Sequence, residues 1–255
     1  MRKKRKKSTI LFIAVALISI IFASCSPPDS QSRARLVMFV GVDVSGSFLG
    51  TNYYNDAMAF LSHYIYGHLN GLGELSKLRA LFVGSIGGKS KDEPKAFHPI
   101  HDLQDKDVKQ IEAALREWFP PKDTMTDFSA FFEEVARHTK DRNLSLAPIS
   151  LLIVTDGVPA TESLEGKAAY EKINLEPLEY LSRRVTVRLT YLRPKIAKHW
   201  REDVPARRVR IWTCAGEVME GWKKQMEASV ELAQQEKLWT WIKDNVDFRV
   251  RSRRF

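Results

Sequence analysis

Cysteine is scarce in this chain of 255 residues. The two cysteines, Cys25 and Cys214, lie far apart, so the sequence predicts no disulfide framework. Six histidines are scattered through the chain, and only His98 and His101 form a close pair, beside Asp102. A His-x-x-His pair in a loop is a weak metal signal, and a surface loop is the better interpretation.

A complete phosphate-binding loop is also missing. Gly88-Lys89-Ser90 follows a predicted strand and resembles the end of such a loop. The pattern requires a glycine five residues before Gly88, where this chain has Val83. It also requires a helix after Ser90, and Pro94 makes a poor start for one. We therefore predict a Gly-rich turn rather than a nucleotide site.

Acidic residues are fewer than basic residues, but most of the excess positive charge lies in one short segment. The net charge is +9, and residues 2–7 supply six positive charges, so nine less six leaves +3 for the rest. Four further arginines near the C-terminus suggest a solvated tail. We expect no nucleic-acid partner. With 44% hydrophobic and 28% charged residues, the chain suits one α/β domain with a full core.

The N-terminal segment has the layout of an export signal. Basic residues 2–7 precede an apolar stretch, residues 9–23, which is short beside the roughly 20 residues of a comfortable membrane span. Ala23-Ser24-Cys25 resembles a bacterial lipobox, although Phe22 stands where leucine is usual. The resemblance implies that Cys25 is lipidated and becomes the new N-terminus.

The alternative for this segment is an uncleaved membrane anchor in which Cys25 has no role. Both interpretations place residues 26–255 outside the cytoplasm, in a bacterial cell envelope, because the basic flank stays inside. Residues 1–25 then form the signal, and residues 26–35, rich in Pro and Ser, form a tether.

The most informative stretch begins at Leu36 and ends at Ser47. An apolar run predicts a strand buried on both faces in the middle of a parallel sheet. Asp43, Ser45 and Ser47 follow it directly. The carboxyl ends of strands in an open α/β sheet are where ligands bind. Carboxylate and hydroxyl oxygens are ligands that a hard divalent cation prefers.

Two segments that are distant in the sequence add further candidate metal ligands to Asp43, Ser45 and Ser47. Thr126 precedes a helical pattern that starts at Phe128. A second buried strand, residues 149–154, runs into Thr155-Asp156-Gly157. Together these segments resemble the metal-ion-dependent adhesion site of von Willebrand factor type A (vWA) domains. One departure is Met125, where that family often has glycine.

The resemblance implies a set of ligands and a mode of binding. The cation would be Mg²⁺ or Mn²⁺, and an Asp or Glu side chain from a protein partner would complete its coordination. The residues that it assigns to the cation are Asp43, Ser45, Ser47, Thr126 and Asp156. Taken alone, Thr126 is better interpreted as the N-cap of the following helix; together with Asp43 and Asp156, a ligand role is favoured.

Strands and helices alternate along the rest of the chain, which predicts a mostly parallel sheet covered on both faces. The resemblance implies a doubly wound, six-stranded sheet over residues 36–215, with a short antiparallel edge strand that we place in residues 85–104. The pattern predicts strands at 78–83, 149–154, 184–192 and 207–213. It predicts helices at 52–69, 105–119, 128–139, 161–172 and 195–202. Strand 184–192 alternates polar and apolar residues, which predicts one solvated face.

Residues 216–255 form a C-terminal extension whose first part, to about Asp247, shows a long helical pattern, either continuous or broken once. Apolar residues recur at helical spacing, including Val218, Trp222 and Met226. The extension either packs on the domain or projects from it as a partner-binding face. The role of Trp239 and Trp241 stays open at this point.

Three functions are compatible with these features. The first is a membrane-tethered, metal-dependent module that binds an acidic side chain of a protein partner. The second is a structural or assembly subunit of an envelope complex with a vestigial or structural metal site. The third, a metal-dependent hydrolase, has the least support, because Asp127 is the only candidate general base near the motifs. We therefore expect a binding protein rather than an enzyme.

Overall fold

The computed structural model describes residues 34–88, 95–121, 125–160 and 164–247. The predicted export signal with Cys25, and nearly all of the predicted tether, lie outside these residues. Within the part of the chain that is described, no helix is both long and apolar enough to cross a membrane.

Eight strands and nine α-helices are found in the described residues. The strands are β1 Leu36–Val42, β2 Leu78–Ser85, β3 Gly87–Gly88, β4 Phe97–Pro99, β5 Met125–Thr126, β6 Ile149–Val154, β7 Val185–Leu192 and β8 Val209–Ala215. The helices are α1 Gly46–Leu49, α2 Tyr53–Asn70, α3 Val108–Trp118, α4 Phe128–Asp141, α5 Lys167–Glu171, α6 Glu176–Glu179, α7 Pro194–Glu202, α8 Gly216–Met219 and α9 Glu236–Asn245. Short 3-10 turns lie at Leu72–Glu74, Ile100–Asp102, Lys223–Gln225 and Leu232–Gln234.

Six of the strands form one sheet in the order β4-β2-β1-β6-β7-β8. All neighbouring pairs are parallel except β2 and β4. This confirms the predicted six-stranded, mostly parallel sheet. The antiparallel edge strand β4 falls inside the predicted region 85–104. This is the order of a doubly wound sheet: successive strands are added on one side of β1 and then, from β6 onward, on its other side.

Helices cover both faces of the sheet, and each face has its own hydrophobic core. Alternate residues of β1 serve the two cores: Met38 and Val40 face one, Val37 and Phe39 the other. The first core is closed by α2, α3 and the C-terminal segment, and the second by α4, α6 and α7. Burial of β1 on both faces explains why its sequence is a continuous apolar run.

Helix α3 begins later than its apolar pattern predicts. Asp107 caps it, because its side chain accepts from Gln110 N while the Gln110 side chain accepts from Asp107 N, forming a capping box. Asp105 has a φ of 60°, which is incompatible with the helix that we predict from that residue. The predicted helix 161–172 is shorter as well: α5 covers Lys167–Glu171, and residues 161–163 lie outside the described part.

The prediction that one face of β7 is solvated is wrong. All eight residues of β7 are buried, because β7 lies between β6 and β8 with helices on both sides. Its polar side chains find partners within the protein. Arg188 donates to Ser150 Oγ at 3.1 Å and to Val246 O at 2.7 Å, and Thr190 donates to Ile153 O. Hydrogen bonds make the burial of such groups tolerable.

The long helical pattern predicted for residues 216–247 is also wrong, since α8 and α9 are separated by irregular chain. Gln235 stabilises that irregular path: its amide accepts from Glu227 N and donates to Glu227 O and Val230 O. Trp222 and Trp239 are buried in the first core, and Trp241 is partly buried against it. Residues 216–247 therefore pack against the sheet and α2.

Gly73 fixes how this C-terminal segment packs. It has a φ of 54°, and a Cβ atom at this position would lie 2.0 Å from Trp239 Cβ. Only glycine combines the left-handed backbone with so close an approach. The indole of Trp239 also lies against Gly67 on α2.

Candidate functional site

The polar residues singled out from the sequence lie at the carboxyl edge of the sheet. Asp43 follows β1 and Asp156 follows β6, the two adjacent strands between which the strand order reverses. The loops after such strands diverge to opposite faces and leave a crevice between them. A backbone hydrogen bond from Asp43 N to Val154 O, 3.0 Å long, joins the two strand ends.

The loop after β1 folds back on the Asp43 carboxylate. Ser45 N donates to Asp43 Oδ1 at 2.9 Å, and the hydroxyls of Ser45 and Ser47 are 3.2 Å apart. Ser45 also caps the short helix α1. Ser47 is exposed whereas Asp43 and Ser45 are buried, so the cluster opens to solvent at Ser47.

Thr126 reaches the same carboxylate from a separate loop. Its Oγ1 donates to Asp43 Oδ1 at 3.4 Å. The pairing of β5 with β3 holds it there, with Thr126 opposite Gly87. The Gly-rich turn that resembles a phosphate loop therefore supports this threonine. The N-cap of α4 is Asp127, whose side chain accepts from Ala130 N, so the alternative N-cap role for Thr126 is wrong.

Asp156 sits on a turn that the following residues stabilise. Val158 N donates to Asp156 Oδ1 at 3.0 Å. Gly157 has a φ of 76°, a left-handed conformation that suits glycine, and its carbonyl accepts from Trp200 Nε1 at 2.8 Å. The charge of Asp156 is near enough to raise the pKa of Asp43.

Thr155 is the residue of this cluster to which the sequence assigned no role. Its hydroxyl donates to Asp43 Oδ2 at 2.5 Å and accepts from Gly157 N at 2.9 Å. Thr155 is fully buried. The sequence offered one indication of this role: Thr155 lies between a buried strand and Asp156. A hydroxyl that is buried there needs a hydrogen-bond partner nearby.

Burial dominates the electrostatics of Asp43, which is 0% exposed. Desolvation raises the pKa of its carboxyl above the ordinary value, hydrogen bonds from Thr155 and Ser45 oppose that rise, and repulsion from Asp156 adds to it. Two buried carboxylates side by side without a countercharge are unfavourable. A cation between them would remove this cost.

The chemistry of the cluster suits a hard divalent cation. It brings together two carboxylates and the hydroxyls of Ser45, Ser47 and Thr126, all of them oxygen donors. Among the described residues, no place gathers three or more His, Cys, Asp and Glu side chains. A set of two carboxylates and three hydroxyls contains only two side chains of those four types, so it does not conflict with that finding.

Groups that could support other chemistry are engaged elsewhere. Asp127 caps α4. His98 stacks on Trp118, with ring centroids 3.9 Å apart. Burial raises the pKa of the Cys214 thiol to about 11, which leaves it protonated and inert.

Comparison with known proteins gives structural similarity alone. No family model and no curated protein matches the chain. Among solved structures, manganese-loaded TRAP protein from Plasmodium vivax is 18% identical with a TM-score of 0.44, and the match covers 70% of this chain and 68% of that one. Mussel byssus proximal thread matrix protein 1, with a zinc-occupied MIDAS motif, is 11% identical with a TM-score of 0.43, covering 75% of this chain and 46% of that one.

A third match is the SpRpn10 VWA domain, 9% identical with a TM-score of 0.41, covering 84% of this chain and 96% of that domain. The chain thus spans less than half of the mussel protein but nearly all of this domain. Values this low carry no argument about function. The topology itself defines the class: a doubly wound, mostly parallel, six-stranded α/β sheet of vWA-like form.

Proposed function

We propose that this chain is a membrane-tethered, extracytoplasmic vWA-like domain that binds a protein partner through a divalent cation. Asp43, Ser45, Ser47, Thr126 and Asp156 hold Mg²⁺ or Mn²⁺, and an Asp or Glu side chain of the partner completes the coordination. The observation that carries this proposal is the convergence of three separate loops on the buried Asp43 carboxylate.

The balance of charge in the cluster favours an acidic ligand. Two carboxylates neutralise a divalent cation, and the three hydroxyls add donors without adding charge. Five protein oxygens leave room in a six-coordinate shell for one outside oxygen. A partner's carboxylate would supply it, and the exposed position of Ser47 gives access from solvent.

Membrane attachment is the second part of the proposal. It rests on the sequence of residues 1–25, with lipidated Cys25 or an uncleaved apolar segment as the anchor, in a bacterial cell envelope. A Cys25→Ser variant tests the lipidated form. We expect it to be released from membranes or to keep its signal segment, whereas normal processing and attachment would favour the uncleaved anchor.

The alternative of a scaffold that acts through its C-terminal segment has less support. Trp222 and Trp239 are buried within the domain and Trp241 is partly buried against it, so the tryptophans offer little surface to a partner. A hydrolase has less support too, because Asp127 is committed to its helix cap.

Calorimetric titration of Mg²⁺ and Mn²⁺ into the full chain in detergent tests the site. We expect saturable binding to the wild type and none to Asp43→Ala. The matched control is Asp141→Ala, which removes an exposed carboxylate paired with Arg137 at the other end of α4 and should bind normally.

Panning of displayed peptides in Mg²⁺ and in chelator tests the partner class. We expect peptides rich in Asp or Glu to be enriched in Mg²⁺ only, and not by Asp43→Ala. The proposal is wrong if the wild type binds neither Mg²⁺ nor Mn²⁺, whether acidic peptides are absent or present.

A further inference from the structure

The amino edge of the sheet, opposite the candidate site, carries a cluster of unpaired arginines. The five parallel strands run in one direction, so the segments that enter them meet at this edge. Three of these segments, residues 142–148, 180–184 and 205–208, enter the adjacent strands β6, β7 and β8. They contain five arginines and neither Asp nor Glu. All five are exposed: Arg142, Arg183, Arg184, Arg207 and Arg208.

Direct contacts hold the three segments side by side. Leu146 N donates to Leu181 O at 3.0 Å, and Ile149 N donates to Arg184 O at 2.9 Å. The guanidinium of Arg208 lies 5.4 Å from the centroid of the Tyr180 ring. The guanidinium of Arg142 lies 5.3 Å from the centroid of the Phe82 ring on β2, so the arginines are spread along this edge from β2 to β8.

The nearest acids do not neutralise this surface. Asp141 is paired with Arg137, and the buried Glu179 accepts from the backbone N of Arg207. Among the described residues, none of the five arginines of these segments is found in an ion pair; the ion pairs nearby involve Arg137. Arg35 and Lys77, which enter β1 and β2, are also exposed and extend the positive edge.

Two large apolar side chains project among the arginines. Leu146 is 84% exposed and Tyr180 is 72% exposed, which makes them the two most exposed large apolar residues described. We call these two residues and the five arginines the base patch. Positive charge with a projecting leucine and an aromatic ring suits a membrane interface, where apolar groups enter the headgroup region and arginines meet lipid phosphates.

We propose that the base patch docks on the anionic surface of the membrane to which the chain is attached. The proposal rests on the membrane attachment proposed above. Residues 1–33 join the domain at Ala34, two residues before β1 begins at the same edge of the sheet. A tether of ten residues, 26–35, spans at most about 35 Å, so it keeps this edge close to the lipid. Docking then turns the carboxylate-binding edge away from the membrane, toward a partner.

An acidic protein or a nucleic acid would also be attracted to the arginines. The membrane is favoured because the tether supplies it at high local concentration and because Leu146 gains from an apolar environment. Each Lys or Arg near an anionic leaflet contributes about 1 kcal/mol, which raises the equilibrium constant for docking about fivefold. The five arginines therefore favour the docked state of a tethered domain.

Hydroxyl-radical footprinting of the full chain in vesicles tests this proposal. The vesicles contain phosphatidylcholine alone or with about 30% phosphatidylglycerol, which supplies the negative surface potential. We expect protection of Leu146 and Tyr180 on the anionic vesicles only, with loss of protection at about 0.5 M salt. Met125 and Val158, exposed near the opposite edge, are internal controls and should react equally on both vesicles.

Two variants and a matched control locate the contact. Arg183→Gln with Arg184→Gln removes two base-patch charges and should lower the equilibrium constant for docking about 25-fold. Leu146→Asn keeps all charges and suits the positive φ at that position, and it should weaken protection of Tyr180. Lys195→Gln with Lys198→Gln removes two exposed charges on α7 and should leave protection unchanged.

Flotation of the same samples measures whether the protein is bound to the vesicles, and so distinguishes docking of the base patch from attachment through residues 1–25. Vesicle-bound protein without protection at Leu146 and Tyr180 would overturn docking and keep attachment. Protein that floats only with anionic vesicles, with protection, would support docking and overturn the tether. Protein that floats with neither overturns both. Protection by polyglutamate or duplex DNA, but not by anionic vesicles, would assign the patch to an acidic protein or to nucleic acid.

Discussion

The hydroxyl of Thr155 donates a hydrogen bond of 2.5 Å to Oδ2 of Asp43, across the adjacent ends of β6 and β1. Thr126 and Ser45 N contact the other oxygen, so both oxygens of Asp43 are held. The orientation of this carboxylate is thus set by residues from three loops. Thr155 acts as a positioning residue, since it also accepts from Gly157 N and so links Asp43 to the Asp156 turn.

Thr155→Val should weaken binding of Mg²⁺ or Mn²⁺ about tenfold or more, as is typical when a group that orients a metal ligand is lost. Valine keeps the shape of threonine but leaves Asp43 Oδ2 without its donor. Calorimetric titration measures the effect. Thr190→Val is the matched control, because Thr190 is equally buried and bonds Ile153 O instead. Equal affinities of the two variants would remove Thr155 from the site.

Asp43→Asn should abolish the stabilisation that Mg²⁺ gives to the wild type. Ligand at 1,000 times its dissociation constant stabilises a folded protein by about 4 kcal/mol, so the wild-type Tm should rise. In chelator, the Tm of Asp43→Asn should stay close to that of wild type, because loss of an unfavourable buried charge is offset by loss of the acceptor for the Thr155 hydroxyl. Thermal denaturation in Mg²⁺ and in chelator measures both effects. A variant that Mg²⁺ still stabilises would place the cation elsewhere.

Asp247 should make the stability of the domain depend on pH in acid. Burial raises the pKa of its carboxyl, but the charges of His68 and Arg188 and a hydrogen bond from Tyr64 outweigh burial and lower it below 3.8. A lowered folded-state pKa gives stability that is present above the unfolded value and lost as pH falls through the folded one. Asp247→Asn should therefore lower the Tm at neutral pH, with a difference that shrinks below about pH 3.8.

Asp244→Asn is the control for this pH dependence, because Asp244 is an exposed acid on the same segment. Its Tm should follow that of the wild type at every pH. A Tm difference between wild type and Asp247→Asn that stays constant from neutral to acid pH would contradict the prediction.

Gly73→Ala should destabilise the protein far more than Gly71→Ala. Both glycines have left-handed backbones, with φ of 54° and 65°, so each substitution costs about 1–2 kcal/mol for conformation. A Cβ at Gly73 also collides with Trp239 at 2.0 Å, whereas one at Gly71 meets only the flexible side chain of Lys77. The collision should add about 1–3 kcal/mol. Urea denaturation measures the difference, and equal losses would mean that Trp239 is not held against Gly73.

Much of the fold was predictable because local patterns and tertiary packing agree there. The apolar run before Asp43 predicts a strand buried on both faces, and β1 is one. The predicted strand 149–154 matches β6 residue for residue. Asp43 and Asp156 lie just beyond the ends of β1 and β6, as the rule for parallel strands requires, and Ser45 and Thr126 contact Asp43 there. Their binding of a cation stays a prediction.

Other features could not be predicted from the sequence, because their partners are distant along the chain. The alternation in β7 suggested a solvated face, yet Arg188 is buried through bonds to Ser150 and to Val246 O. The periodic residues after Gly216 suggested one helix, yet Gln235 stabilises a loop that places Trp222 and Trp239 in the core.

The sequence by itself determined the strands, the class of the sheet and the polar residues at the carboxyl edge. Those features follow from periodicity and from residues that adjoin one another, such as Asp43, Ser45 and Ser47. The tertiary structure decided which distant groups meet: Thr155 with Asp43, Trp239 with Gly73, and Arg208 with Tyr180. Parallel strands bring together segments that are tens of residues apart, and no local pattern encodes that proximity.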